Sequence, residues 1–80
     1  VLLSELRQLF ETNGHHVNHR DEVDAAGAAW YCGLAVGTLA NKRMRNAKVQ
    51  GPPYVDYRSG VRYPIVGLAN WQEQRLRSAA

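Results

Sequence analysis

Between Ala28 and Leu39 the chain reads AAWYCGLAVGTL, and this stretch restricts the fold more than any other. Ala29 is small enough to let two helices approach, Gly33 can supply a left-handed turn that few other residues tolerate, and Leu34 and Leu39 are spaced to point into the angle between the helices. A helix, a tight turn and a second helix are therefore expected. Asp24 can cap the first helix, which runs to about Cys32, with Val23 just outside the cap. Gly33 ends it, and the second helix begins near Ala35 and continues to about Asn46, because no proline and no glycine beyond Gly37 stops it sooner.

On either side of this unit the pattern changes. Leu2, Leu3, Leu6, Leu9 and Phe10 fall on one face at helical spacing, predicting a short amphipathic helix over residues 2–12 that stops before Asn13 and Gly14. Its apolar face needs a cover: either a homodimer or protein partner docks on Leu2, Leu6, Leu9 and Phe10, or the helix folds back onto a small core. Gly14 to Arg20 has no periodicity and reads as a loop. After Gln50, GPPYV breaks any helix and sets an extended strand in which Val55 and Tyr57 alternate with Asp56. Arg58, Ser59 and Gly60 make a short turn, Val61, Arg62 and Tyr63 return as a second strand, and Pro64 ends it. From about Ile65 the chain turns helical again, with Leu68, Trp71 and Leu76 inward and Gln72, Glu73, Arg75 and Arg77 toward water. Trp71, Tyr54 and Tyr63 are spaced to pack the hairpin against this last helix. Trp30 points away from Ala29, either to cover the N-terminal helix or to form a partner surface. The expected fold class is mostly α with a small β-hairpin, preceded by an extra N-terminal helix.

Eighty residues make one small domain with a marginal core, which excludes multidomain and large-enzyme architectures. The single cysteine, Cys32, cannot form an internal disulfide and occupies a position suited to a small apolar residue, so a reducing, cytoplasmic setting is the default expectation. No apolar run approaches a membrane span, and Glu5 and Arg7 interrupt the start where a signal peptide would stay apolar. The first residue is Val rather than Met, which allows the chain to be a fragment. Charge is segregated. Residues 1–24 carry Glu5, Glu11, Asp21, Glu22 and Asp24 against Arg7 and Arg20, a net −3, whereas residues 42–62 carry Lys42, Arg43, Arg45, Lys48, Arg58 and Arg62 against Asp56, a net +5. The basic segment follows directly on the helical turn, where an anionic polymer would dock.

From Val23 onward, the succession of helix, tight turn, helix, hairpin and closing helix resembles the small winged helix-turn-helix domains of the excisionase and AlpA-like regulators, relatives of the MerR DNA-binding domain. Ala28, Ala29, Tyr31, Gly33, Thr38 and Leu39 fit the helix-turn-helix of that family. Gly51, Pro52, Pro53, Tyr54 and Val55 fit its approach to the wing, and Val61, Arg62, Tyr63, Leu68 and Trp71 its return strand and closing helix. The resemblance covers about the last two thirds of the chain and divides it into an N-terminal helix and loop, 1–22, and a winged helix-turn-helix domain, 23–80. Three pieces in the right order carry more weight than any one. There are departures. A serine usually stands where Ala35 is and caps the recognition helix, Val36 and Gly37 replace residues that are commonly polar, and Lys42 replaces a large apolar residue. The first twenty or so residues have no counterpart in the minimal domain.

What the resemblance implies is a non-enzymatic protein that binds double-stranded DNA, either a phage or mobile-element excisionase acting in DNA recombination or an AlpA-like transcription regulator. Its recognition helix would present Val36, Gly37, Thr38, Asn41, Lys42, Arg43 and Arg45, with Asn41 suited to an adenine edge and the cationic and hydroxyl groups to phosphates. Arg58, Ser59 and Arg62 would carry the wing contacts, with Arg62 alternatively pairing with Asp56 across the hairpin. Two other functions remain open: the DNA-recognition domain of a phage terminase small subunit, and a protein-interaction module on the same fold, which the apolar Ala35, Val36 and Gly37 would suit. No metal or cofactor is expected. His15, His16 and His19 lie in a loop without helical pattern and read as solvated, and Cys32 has no positioned base.

Overall fold

The computed structural model describes residues 3–43 and 51–79. The elements run α1 (Leu3–Thr12), β1 (Glu22–Val23), α2 (Ala25–Cys32), α3 (Val36–Lys42), β2 (Val55–Tyr57), β3 (Gly60–Pro64) and α4 (Ile65–Ala79). They form a mostly helical α/β domain with a three-stranded antiparallel sheet.

Both ends of α2 follow from sequence. Asp24 has extended backbone, and its Oδ1 accepts from Gly27 N at 2.9 Å, satisfying a donor that the first helical turn leaves open. At the other end Gly33 takes φ 69°, and two bonds close the helix: Gly33 N to Trp30 O at 3.3 Å and Leu34 N to Ala29 O at 3.0 Å. This paired arrangement occupies carbonyls that would otherwise be orphaned, and it redirects the chain into α3. Arg75 of α4 adds a third cap, its Nη2 donating to Cys32 O at 3.0 Å while its guanidinium lies over Trp71. A cation at a helix C-terminus is favourably placed. The spacing of the last helix predicts Arg75 toward water; the structure turns it inward instead, because the Cys32 carbonyl at the end of α2 offers an acceptor. Leu76 is a second correction: it is 61 % exposed rather than inward.

The hairpin forms as the spacing predicts, with Val55 opposite Arg62 and Tyr57 opposite Gly60. The sheet has one strand more than expected. Glu22 and Val23 pair with Pro64 and Tyr63, so β3 is central and the order is β1-β3-β2. A two-residue strand leaves no period in a sequence, and only the tertiary pairing creates it. Asp21, just before it, adopts φ 59°, a left-handed conformation that Asp tolerates better than most residues. Its carbonyl accepts from Ile65 N at 2.9 Å, joining this corner to the start of α4.

The core collects Leu6 and Phe10 from α1, Val17 from the following loop, Val23 from β1, Ala28, Ala29 and Cys32 from α2, Leu39 from α3, Tyr63 from β3, and Ile65 and Leu68 from α4. Phe10 stacks on Tyr31 at 5.2 Å and meets Trp30 edge-on at 5.5 Å, so α1 is clamped to α2 by aromatic contact. The partner surface expected on α1 is therefore corrected for two of its residues: Leu6 and Phe10 are 5 % and 0 % exposed within the chain's own core, because an 80-residue domain needs their area. Leu9 remains exposed, and Leu2 lies outside the described residues. Burial pushes both the Cys32 thiol and the Tyr31 phenol up from their ordinary values, which keeps each neutral against the core.

Two glycine substitutions separate turn from helix. Gly33→Ala should destabilise the domain by about 1 kcal/mol, since a side chain is strained at that φ, whereas Gly37→Ala, in open space within α3, should stabilise it by about 0.5–1 kcal/mol. Urea unfolding of both variants should move the midpoints in opposite directions.

Candidate nucleic-acid interface

The residues expected to meet DNA divide into two groups in the structure. On α3, Leu39 is fully buried, and the opposite side is open: Val36 is 48 % exposed, and Gly37, Thr38 and Asn41 are exposed. Thr38 and Asn41 stand three residues apart and Gly37 and Asn41 four, so they share a face. No side chain caps the start of this helix. Ala35 takes the extended N-cap conformation without a side-chain bond, as its small apolar side chain requires. Lys42 is half-buried, with its stem packed so closely over Gly51 that a Cβ added at Gly51 would lie 2.9 Å from Lys42 Cβ. Arg45 lies outside the described residues.

Arg43 goes elsewhere. It is half-buried at the end of α3, donates from Nη1 to Tyr63 Oη at 2.7 Å, and its guanidinium lies 5.9 and 6.0 Å from the rings of Tyr54 and Tyr63. Tyr63 is fully buried, and a buried phenol needs a partner for its oxygen. Arg43 supplies it and ties α3 to the central strand, with the cation further held by two ring faces. Arg62 is next to Tyr63 on that strand, so the same tie connects the helix to the hairpin.

At the hairpin, Arg58 and Ser59 form the exposed turn and Gly60 takes φ 127°. Arg62 is half-buried and donates Nη1 to Val61 O at 3.0 Å. Asp56 faces Val61 in the register, not Arg62.

A polar cluster whose contacts lie mostly between distant positions braces this hairpin from the N-terminal side. Glu22 is 6 % exposed, and both its carboxylate oxygens accept from Tyr57 Oη at 3.0 Å, with Asn18 Nδ2 donating to Oε1 at 3.1 Å. Asn18 Oδ1 in turn accepts from Arg20 N and Glu22 N, closing a turn of a kind that Asn favours. Arg20 Nη1 donates to Tyr57 Oη at 3.2 Å, and this bond above all, with the nearby carboxylate of Glu22, raises Arg20 above its ordinary value. Behind the turn, Arg7 of α1 pairs with Asp21 at 2.6 Å and donates to the carbonyls of Asn18 and Val17. The Asn18 turn was the one local signal available; the contacts to Tyr57 span thirty-five and thirty-seven positions and leave no spacing pattern.

His15 lies against Trp30 at 5.0 Å between ring centres. Among the described residues, no three His, Cys, Asp or Glu side chains are grouped to hold a metal ion, and no helix is long and apolar enough to cross a membrane. Compared with protein-family models, with curated proteins and with solved structures, the chain finds no significant match in any of the three.

The bare start of α3 can be corrected by one atom. Ala35→Ser should restore a side-chain acceptor and raise stability by about 1 kcal/mol, read as a higher urea midpoint with an unchanged slope.

Proposed function

We propose that the chain is a double-stranded DNA-binding module of winged helix-turn-helix type, with α2, the Gly33 turn and α3 as the helix-turn-helix and β2 and β3 as the wing. The observation that carries this reading is the two-sidedness of α3: Leu39 faces the core and Gly37, Thr38 and Asn41 face solvent, while Arg43 anchors the helix to the strand that bears Arg62. A recognition helix needs one anchored face and one free face.

In this reading Asn41 offers both a donor and an acceptor to a base edge, and Thr38, Lys42, Arg58 and Arg62 neutralise or bond phosphates. The open backbone at Gly37 allows close approach to the groove. Arg43 serves as a strut, which shifts the phosphate contacts toward the hairpin. The resemblance to excisionases and AlpA-like regulators supports a role in recombination or transcription control, with bending or recruitment of other proteins in place of chemistry. A lone module makes few base contacts, so useful specificity would come from repeated sites or a neighbour on the DNA.

A protein-interaction role is the second reading, favoured by the exposed Val36 at the start of α3 and by Leu3, Val66 and Leu76 beside the groove between α1 and α4. Salt separates the two. Fluorescence anisotropy with a labelled duplex should show binding that weakens about 10²- to 10³-fold between roughly 50 and 200 mM salt if four to six phosphates are contacted. Arg62→Ala should lower the salt slope by about 1 for every duplex, and Asn41→Ala should mainly reduce discrimination between sites. Absence of binding at low salt would refute the DNA reading and leave the protein-interaction one.

A further inference from the structure

The loop between α1 and β1 does not simply lie in solvent. His16, His19 and Arg20 from the loop line the same open concavity as Ser59 and Arg62 from the hairpin, with Asn18, Glu22 and Tyr57 completing its wall. Four features make this concavity suited to an anion. Its only wall acid, Glu22, is buried and has both oxygens engaged by Tyr57 and Asn18, and the neighbouring Asp21 is engaged by Arg7. Two guanidiniums outweigh that single carboxylate before any histidine charge is considered. The donors are also numerous: a guanidinium carries five N–H groups, of which Arg20 uses one on Tyr57 and Arg62 one on Val61 in the contacts described above, the Ser59 hydroxyl can donate, and an imidazole has an N–H donor in either protonation state. Arg20 is held in place by its bond to Tyr57 and by its position over that ring, 5.7 Å from the centroid, so little ordering would be required on binding.

We propose that this concavity is a phosphate subsite for the nucleic-acid backbone, in which His16, His19 and Arg20 extend the contact made by Ser59 and Arg62 from the hairpin onto the N-terminal loop. The proposal rests on the DNA-binding reading and adds to it a binding function for the N-terminal segment, which also completes the core and braces the hairpin. Arg20 is the central donor because it is the exposed guanidinium fixed between loop and sheet. The histidines widen the site along the backbone and distinguish it from a single ion pair.

The test uses the full chain and the same labelled duplex, with Arg20→Ala, Arg20→Lys and the double variant His16→Ala/His19→Ala, each checked by circular dichroism and urea unfolding. Arg20→Ala should weaken binding about five- to tenfold and reduce the salt slope by about 1, Arg20→Lys should keep most of the slope, and the histidine double variant should weaken binding about threefold or more. Wild-type affinity and slope in both Arg20→Ala and the histidine double variant, while Arg62→Ala still weakens binding, would overturn this subsite and leave the DNA reading intact. No binding of the wild-type chain at low salt would overturn both. Loss of binding in Arg20→Ala that Arg20→Lys does not recover, with a lowered unfolding midpoint, would assign Arg20 to structure and overturn the subsite.

Discussion

The fully buried phenol of Tyr63 holds this small domain in one arrangement. Tyr63 lies on the central strand, paired on one side with Val23 and flanked by Arg62, whose partner is Val55 on the other. Its ring joins the core shared by α1, α2 and α4, and its oxygen takes the guanidinium of Arg43 at 2.7 Å. The hydroxyl could not be left unmatched in the core without a penalty of a few kcal/mol, so the end of α3 is drawn to the sheet. From that one contact follow the fixed relation of α3 to the hairpin strand and the withdrawal of Arg43 from the exposed face of the helix.

A chain this short cannot hold a hairpin by its own pairing, since two strands alone are marginal in water. The N-terminal segment supplies what the hairpin lacks. Phe10 and Val17 extend the core, β1 adds a third strand, and Glu22 and Arg20 grip Tyr57 of β2 from the side. Arg7 braces the turn that presents them, reaching the Asp21 side chain and two carbonyls at once. The buried Glu22 is tolerated because donors surround it, and such a satisfied polar cluster specifies geometry more than it adds net stability.

Much of the architecture was legible from local chemistry. Asp24 and Gly33 bound α2 because capping and left-handed turns are written in single residues, and the hairpin was legible from Val55 and Tyr57 alternating before Ser59 and Gly60. The fold-back of α1 was one of two readings, and the structure selects it by burying Leu6 and Phe10. What local pattern could not carry were the contacts made across the chain: β1, the Glu22 and Tyr57 bond, the turn of Arg75 toward Cys32, and the diversion of Arg43 to Tyr63. Of the expected interface, Val36, Gly37, Thr38, Asn41, Arg58 and Ser59 are exposed, Lys42 and Arg62 are half-buried, and Arg45 falls outside the described residues. An arginine's destination depends on which buried acceptor is nearest in space, and sequence distance does not report that.

The dependence of this arrangement on the Arg43 and Tyr63 contact is open to a double-mutant cycle in urea unfolding, using Arg43→Met, Tyr63→Phe and the combined variant. A hydrogen bond between a cation and a buried phenol predicts a coupling of about 1–2 kcal/mol, so that the combined variant is destabilised by clearly less than the two single effects together. Additivity within about 0.5 kcal/mol would mean that the two side chains act independently and that α3 is held to the sheet by apolar packing alone.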